Sequence, residues 1–183
     1  MYYRRKVALF LFFASVIVSA CTGQPGGTSV VSGFELDRYL GTWYEIARLD
    51  HRFERGLTDV TADYTLRDDG GVRVVNRGLN TKTDEWDEAI GKAYLIDSPE
   101  VGRLKVSFFG PFYGGYNILE LDIENYQYAL VAGPDRSYLW ILARSPGLSE
   151  TVVQSLVEKA RRLDFPVDEL IYVSHDMAIS WDT

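Results

Sequence analysis

The chain has 183 residues, 25% of them charged and 14% aromatic, with a formal charge of −7 at neutral pH. Acidity of this order argues against a nucleic-acid partner held through phosphates and against a face that lies flat on anionic lipid. A single cysteine, Cys21, leaves the rest of the chain without a disulfide or a thiol nucleophile.

The first twenty residues read as a targeting segment. Arg4, Arg5 and Lys6 form a positive start, and Val7 to Val18 is an apolar run broken only by Ser15. That run is too short to span a bilayer, which takes about twenty residues. Ser19 and Ala20 precede Cys21, an arrangement that resembles the lipobox of bacterial lipoproteins, and the resemblance implies an acylated Cys21. More than one acyl chain gives stable anchoring where one is marginal. Thr22, rather than Asp, follows the cysteine, which resembles the signal for the outer membrane. With the three basic leader residues set aside, the remaining ~163 residues carry a charge near −10, and their number suits one domain with its own core. The boundaries expected are a signal peptide over 1–20, a lipid-anchored tether over 21–33, flexible because it is rich in Gly, Ser and Thr, and a folded domain over 34–183.

From residue 41 to residue 145 the pattern has period two. Val60, Ala62, Tyr64 and Leu66 share one face against Asp59, Thr61, Asp63 and Thr65 on the other. Leu104, Val106 and Phe108 repeat the pattern against Lys105 and Ser107. Turn signals fall about every ten residues, among them Asp68-Asp69-Gly70-Gly71, Asp97-Ser98-Pro99, Glu124-Asn125 and Gly133-Pro134-Asp135. Eight strands are predicted, at about 41–50, 58–66, 72–80, 86–96, 102–109, 115–123, 126–133 and 138–145. After Pro146-Gly147 the period becomes helical: Val152, Val153, Leu156, Val157, Ala160 and Leu163 share a stripe, with Ser149 as N-cap and Pro166 as terminator. Leu170 to Val173 reads as one more short strand. Short links between successive strands favour a barrel over a Greek-key sandwich. The expected fold is therefore all-β: an eight-stranded up-and-down antiparallel barrel with one C-terminal α-helix packed outside and a short final strand. A barrel of eight strands has room for one small ligand.

Gly41-Thr42-Trp43, continued by Tyr44 to Arg48, together with Gly133-Pro134-Asp135 and the Arg144 that ends Leu139 to Ala143, resembles the signature of the lipocalin family over residues 35 to 174. The family's middle motif, Thr-Asp-Tyr, is degenerate: its counterpart is Leu121-Asp122-Ile123, where only the Asp survives. The segments Asp50 to Gly56 and Phe108 to Asn117, with the lipobox, resemble the bacterial outer-membrane branch, and more distantly apolipoprotein D. The resemblance implies structural roles for Gly41, Trp43 and Arg144, with Trp43 plugging the closed end and Arg144 lying over its ring. It also implies a fatty acid or lysophospholipid ligand, and lipid storage or transport in the envelope at the periplasmic side of the outer membrane.

Parity gives the inward positions: Val60, Ala62 and Tyr64 on the second strand, Asn76 with Val74 and Gly78 on the third, Phe108, and Trp140, which shares the parity of Arg144. The residues expected at the ligand are Val60, Ala62, Tyr64, Asn76, Phe108, Tyr113, Tyr116 and Trp140. Asn76 and Tyr116 match cavity positions of the relatives, although Asn76 also suits a rim residue bonded to its own hairpin. Tyr113 and Phe112, in the Pro111 to Gly115 hairpin, suit lipid passage or a protein contact. The sixth strand has two parities open, Tyr116/Ile118/Glu120 or Asn117/Leu119/Leu121, and an inward Glu120 is costly unless paired.

No catalytic residue, cofactor or metal is expected. The chain has no Gly-x-Ser-x-Gly elbow, phosphate loop, Cys-x-x-Cys or His-Glu-x-x-His, and His51 and His175 have no second ligand at metal spacing. The leading reading is a lipid-binding protein. Its rivals are a self-associating envelope protein, a homodimer for instance, with a barrel filled by side chains, and a lipid-modifying enzyme. A well-formed cavity favours the first.

Overall fold

The alternating runs form eight antiparallel strands: β1 (Gly41–Arg48), β2 (Leu57–Leu66), β3 (Val72–Asn80), β4 (Glu85–Leu95), β5 (Arg103–Ser107), β6 (Gly114–Leu121), β7 (Tyr128–Ala132) and β8 (Leu139–Ala143). This computed structural model describes residues 22–176; the targeting segment, Cys21 with its expected acyl anchor, and the tail from 177 onward lie outside the described residues. Each strand pairs with its neighbours in sequence, and β8 returns to β1, so the sheet closes and leaves no free edge among the eight. A helix α1 (Leu36–Tyr39) precedes the barrel; α2 (Glu150–Arg162), a 3-10 turn (Val167–Glu169) and a short β9 (Ile171–Tyr172) follow it. Among the described residues no helix is long and apolar enough to cross a membrane.

Alternation divides the apolar residues into two cores. One fills the barrel's closed half, with Phe34, Tyr39, Trp43, Tyr64, Val72 and Ile118 among its members. The other lies outside, where Ala47, Leu119, Leu130, Leu139 and Ile141 meet Val153, Leu156, Val157 and Ala160 of α2. Ser149 caps α2 by accepting from the Val152 amide. The helix ends at Arg162, ahead of Pro166, because Asp164 takes a positive φ of 62° and turns the chain. Leu66 departs from its expected dry face: it ends β2 and is exposed.

Register shifts occur at three places, one of them between Thr58 and Thr61 in β2, and the other two reset parity in the barrel interior. One between Ile118 and Glu120 turns Tyr116, Ile118 and Leu121 inward and Leu119 toward α2. Glu120 thereby faces out and pairs with Lys159, so neither simple parity describes β6. The other, between Glu45 and Ala47, lets Trp43, Glu45 and Arg48 all face the interior.

The closed end is built around Trp43, which is fully buried and donates from Nε1 to the Tyr39 carbonyl at 2.8 Å. The Arg144 guanidinium lies 4.0 Å from its ring centre and donates to the carbonyls of Thr42 and Arg38. Gly41 has φ +91°, a backbone conformation that favours glycine, while a Cβ there would meet Arg144 Nη1 only at an ordinary contact of 3.4 Å. The surviving Asp122 holds the β6–β7 turn, its carboxylate accepting the Asn125 and Gln127 amides.

Residues 22–33 differ from a free tether. Asn117 Nδ2 donates to the Gly23 carbonyl at 3.1 Å, Arg103 Nη2 to Thr22 at 3.1 Å and Arg136 Nη2 to Gly26 at 2.7 Å. Val31 bonds the backbone of Ile118 and Gly102, and Phe34 enters the closed-end core. The composition is that of a linker, but the carbonyls of Thr22, Gly23 and Gly26 accept from side chains of the barrel and its β7–β8 loop. At the opposite end of the chain β9 pairs with Ala47 and Arg48 on the edge that β2 leaves beyond Tyr44, and Ser174 accepts from the Asp59 amide. The C-terminal segment thus fills the seam where β1 and β2 diverge.

Candidate functional site

Up-and-down topology puts the β1–β2, β3–β4, β5–β6 and β7–β8 loops at the end opposite Trp43. Between that mouth and the closed-end core lies a cavity of ≈ 90 Å³. That is room for several waters or a length of acyl chain. Its wall includes Val60, Ala62, Tyr64, Val72, Val74, Asn76, Ala93, Leu104, Val106, Phe108, Tyr116, Trp140 and Leu142. Of the residues expected at the ligand, Val60, Ala62, Tyr64, Asn76, Phe108, Tyr116 and Trp140 are brought together here. Tyr113 is not: its ring lies 6.4 Å from Tyr94 and 5.0 Å from the Lys105 ammonium, on the outer face. Gly78 is buried against Leu57 and Val60 and is not part of the wall.

The deep end carries three tyrosine hydroxyls. Tyr116 bonds Tyr39 at 2.7 Å and Tyr64 at 3.1 Å. Three O–H groups joined by two hydrogen bonds leave one proton without an acceptor among the described residues. Burial pushes all three phenols up, Tyr64 to about 12, so they stay neutral donors. Asn76 adds a buried Oδ1 with no partner. The apolar wall therefore offers one donor and one acceptor, enough to fix a single oxygen function or a water.

Near the mouth the wall is charged. Arg48, only 2% exposed, donates to Glu45 at 2.6 Å and to the Glu54 carbonyl at 2.7 Å, tying the β1–β2 loop across the barrel. Glu54 Oε2 accepts from Trp140 Nε1 at 3.1 Å and lies 3.0 Å from His51 Nε2. Glu45 and Glu54 both line the cavity. Burial and the charge of Glu54 raise the Glu45 carboxyl well above the ordinary 4.5, against the pull of Arg48. Burial alone would also raise Glu54, but the hydrogen bond and charge of His51 and the Trp140 indole hold it below its usual value. The alternation pattern hid this cluster, since Glu45 and Arg48 have opposite parity and only the bulge turns both inward. The polar run Asp50 to Gly56 was the one available signal for Glu54 and His51.

The sign of a pH effect follows. The fold keeps the Glu45 proton to higher pH than the unfolded chain does, so this group adds stability that is complete below about 4.5 and lost as pH rises through its raised value. Glu45→Gln is expected to flatten that loss. Melting curves of both proteins across this range check it, and equal slopes would remove Glu45 as the source.

The comparisons agree with this geometry. Residues 34–175 match the family model of the lipocalin-like domain. The chain is 51% identical over 166 residues to the outer membrane lipoprotein Blc of Vibrio cholerae, spanning 91% of this chain and 97% of that one. It is 55% identical over 162 residues to the Blc lipoprotein of Citrobacter freundii, spanning 87% and 91%. Apolipoprotein D of Macaca fascicularis is 34% identical over 139 residues, spanning 72% and 70%. In fold alone the chain is similar to insecticyanin of the tobacco hornworm Manduca sexta, with a TM-score of 0.68 at 21% identity over 85% of this chain and 88% of that one. A barrel closed at one end by Trp43 and Arg144 and hollow at the other, with relatives of this likeness, makes the chain a member of the lipocalin family.

Proposed function

We propose that this lipocalin is an outer-membrane lipoprotein, anchored through acylated Cys21 and facing the periplasm, that holds the acyl chain of a fatty acid or lysophospholipid for storage or transport. The observation that carries the reading is the hollow barrel: an apolar wall with Trp140 near its mouth and unpaired polar atoms deep inside. Each methylene moved from water onto that wall contributes about 0.8 kcal/mol, whatever the head group. The charge of Glu54 disfavours a carboxylate at its level, so a head group sits beyond it, in solvent at the rim. The cavity also favours binding over a barrel filled by its own side chains. The Blc relatives, outer membrane lipoproteins by name, support the location.

Residues 22–176 contain every strand and both cores, so the chain from Thr22 onward serves for the test. Native mass spectrometry with lipid extraction is expected to find a fatty acid or lysophospholipid near one per barrel. A protein that is empty and ignores added acyl chains would overturn the reading. Trp140→Arg, which sets a charge in the wall, is expected to abolish fatty-acid binding while the far-ultraviolet spectrum stays native; undiminished affinity would remove Trp140 from the site.

A further inference from the structure

The outer face of β4, β5 and β6 is unlike the rest of this acidic surface. Lys92 and Lys105 point outward from it, since Ala93, Leu104 and Val106 of the opposite parity line the cavity, and Arg103 does so at the closed-end start of β5, where it pairs with Asp97 at 3.0 Å. Where these strands reach the mouth, Phe109 and Phe112 in the β5–β6 hairpin are 72% and 66% exposed. Tyr113 sits between Phe112 and the lysines, its ring 5.0 Å from Lys105 and 6.0 Å from Lys92. Aromatic rings beside ammonium groups, at the rim of an apolar cavity, have the amphipathic chemistry of a membrane–water interface. The net charge of the chain hides this: Glu88 on β4 is paired with Arg77, and Asp97 with Arg103, which leaves Lys92 and Lys105 without an ion pair among the described residues.

The N-terminal segment fixes where that face lies. Thr22 and Gly23 are held on the same wall, by Arg103 and Asn117, at the level of Gly115. The approach is so close that a Cβ on Gly115 would stand 2.3 Å from the Gly23 carbonyl. Gly23 also lies against Pro134 of the β7–β8 mouth loop. The residue that follows Cys21 is therefore strapped to the barrel, beside the aromatic hairpin, with no free linker between.

We propose that the outer face of β4–β6 and the Phe109–Phe112 hairpin form a lipid-surface contact, which the strapped N-terminus presses against the bilayer with the cavity mouth at the membrane. The proposal rests on the reading of Cys21 as the acylated residue. The partner is a bilayer with some anionic lipid, matched by Lys92 and Lys105 beside Tyr113 and the two phenylalanines. A mouth held there lets an acyl chain pass between membrane and cavity without crossing water.

Acylation occupies the thiol of Cys21, so an introduced cysteine is the single labelling site. Full-length acylated protein carrying a bimane label at Phe112→Cys, Phe109→Cys or Glu124→Cys is reconstituted into vesicles of phosphatidylethanolamine and phosphatidylglycerol that contain nitroxide-labelled lipid. Quenching is expected to be several-fold stronger at 112 and 109 than at 124, which lies in the exposed turn at the closed end. Equal weak quenching at the three sites means the barrel stands away from the membrane, and stronger quenching at 124 means it is inverted; either overturns the proposal. Failure to join the vesicles at all removes the anchor and the proposal with it. Fatty-acid binding by the same labelled proteins in solution is read separately, so a failed contact and a failed cavity are distinguished.

Discussion

Arg48→Ala is expected to destabilise the barrel by about 3–5 kcal/mol, the range for breaking a buried ion pair from one side. The side chain is buried and makes three bonds: to the Glu45 carboxylate and to the carbonyls of Glu54 and Leu57. Its loss leaves Glu45, 3% exposed, beside Glu54 without a cation, and two loop carbonyls without a donor. Urea unfolding at neutral pH measures the loss, and an unchanged midpoint would show that the cluster contributes nothing to the fold. A second variant separates charge from packing. Replacing Glu45 and Arg48 together by methionine is expected to restore most of the stability, because the cost of a lone buried charge disappears with its partner.

Trp43→Ala is expected to cost a similar amount, about 3–5 kcal/mol, as a large buried aromatic exchanged for a cavity. Trp43 packs 4.7 Å from the Tyr39 ring, and its indole bonds the helix that covers the closed end. Removing it also takes the platform from beneath Arg144, a contact of about 0.5–2 kcal/mol. Chemical denaturation with matched slopes for both proteins checks the value. A near-neutral result would sink the role of Trp43 as the plug.

Which parts of this molecule the sequence discloses follows from the range of the forces involved. Strands such as β2 and β5 declare themselves because one wet and one dry face impose alternation on adjacent residues. Helix α2 does so because a stripe that packs on Ala47, Leu130 and Ile141 must recur at helical spacing. Helix α1 spans only Leu36–Tyr39, too few residues to show a period, and its position depends on Trp43 and Arg144. The bulge in β6 turns on where one extra residue, Leu119, leaves the ladder, and composition does not mark that place. Seven of the eight residues chosen for the ligand line the cavity because they sit on regular strands, whereas Tyr113 belongs to a hairpin that parity does not govern. The charged wall stayed hidden for a further reason. Glu45, Arg48, His51 and Glu54 are surface residue types by composition, and only their mutual pairing makes their burial tolerable.

The seam between β1 and β2 governs how the barrel assembles. His175 Nε2 reaches the Glu45 carbonyl at 2.8 Å across 130 residues, and Val173 bonds Ile46 nearby. Strand β1 thus waits for β8 and for the segment after α2 before its edges are covered. Loop-closure entropy of that span makes closure a late and slow event. Until then β1 presents open backbone, the condition under which strands pair with the wrong neighbour. A lipocalin of this design is most vulnerable to aggregation until its last ten described residues are in place.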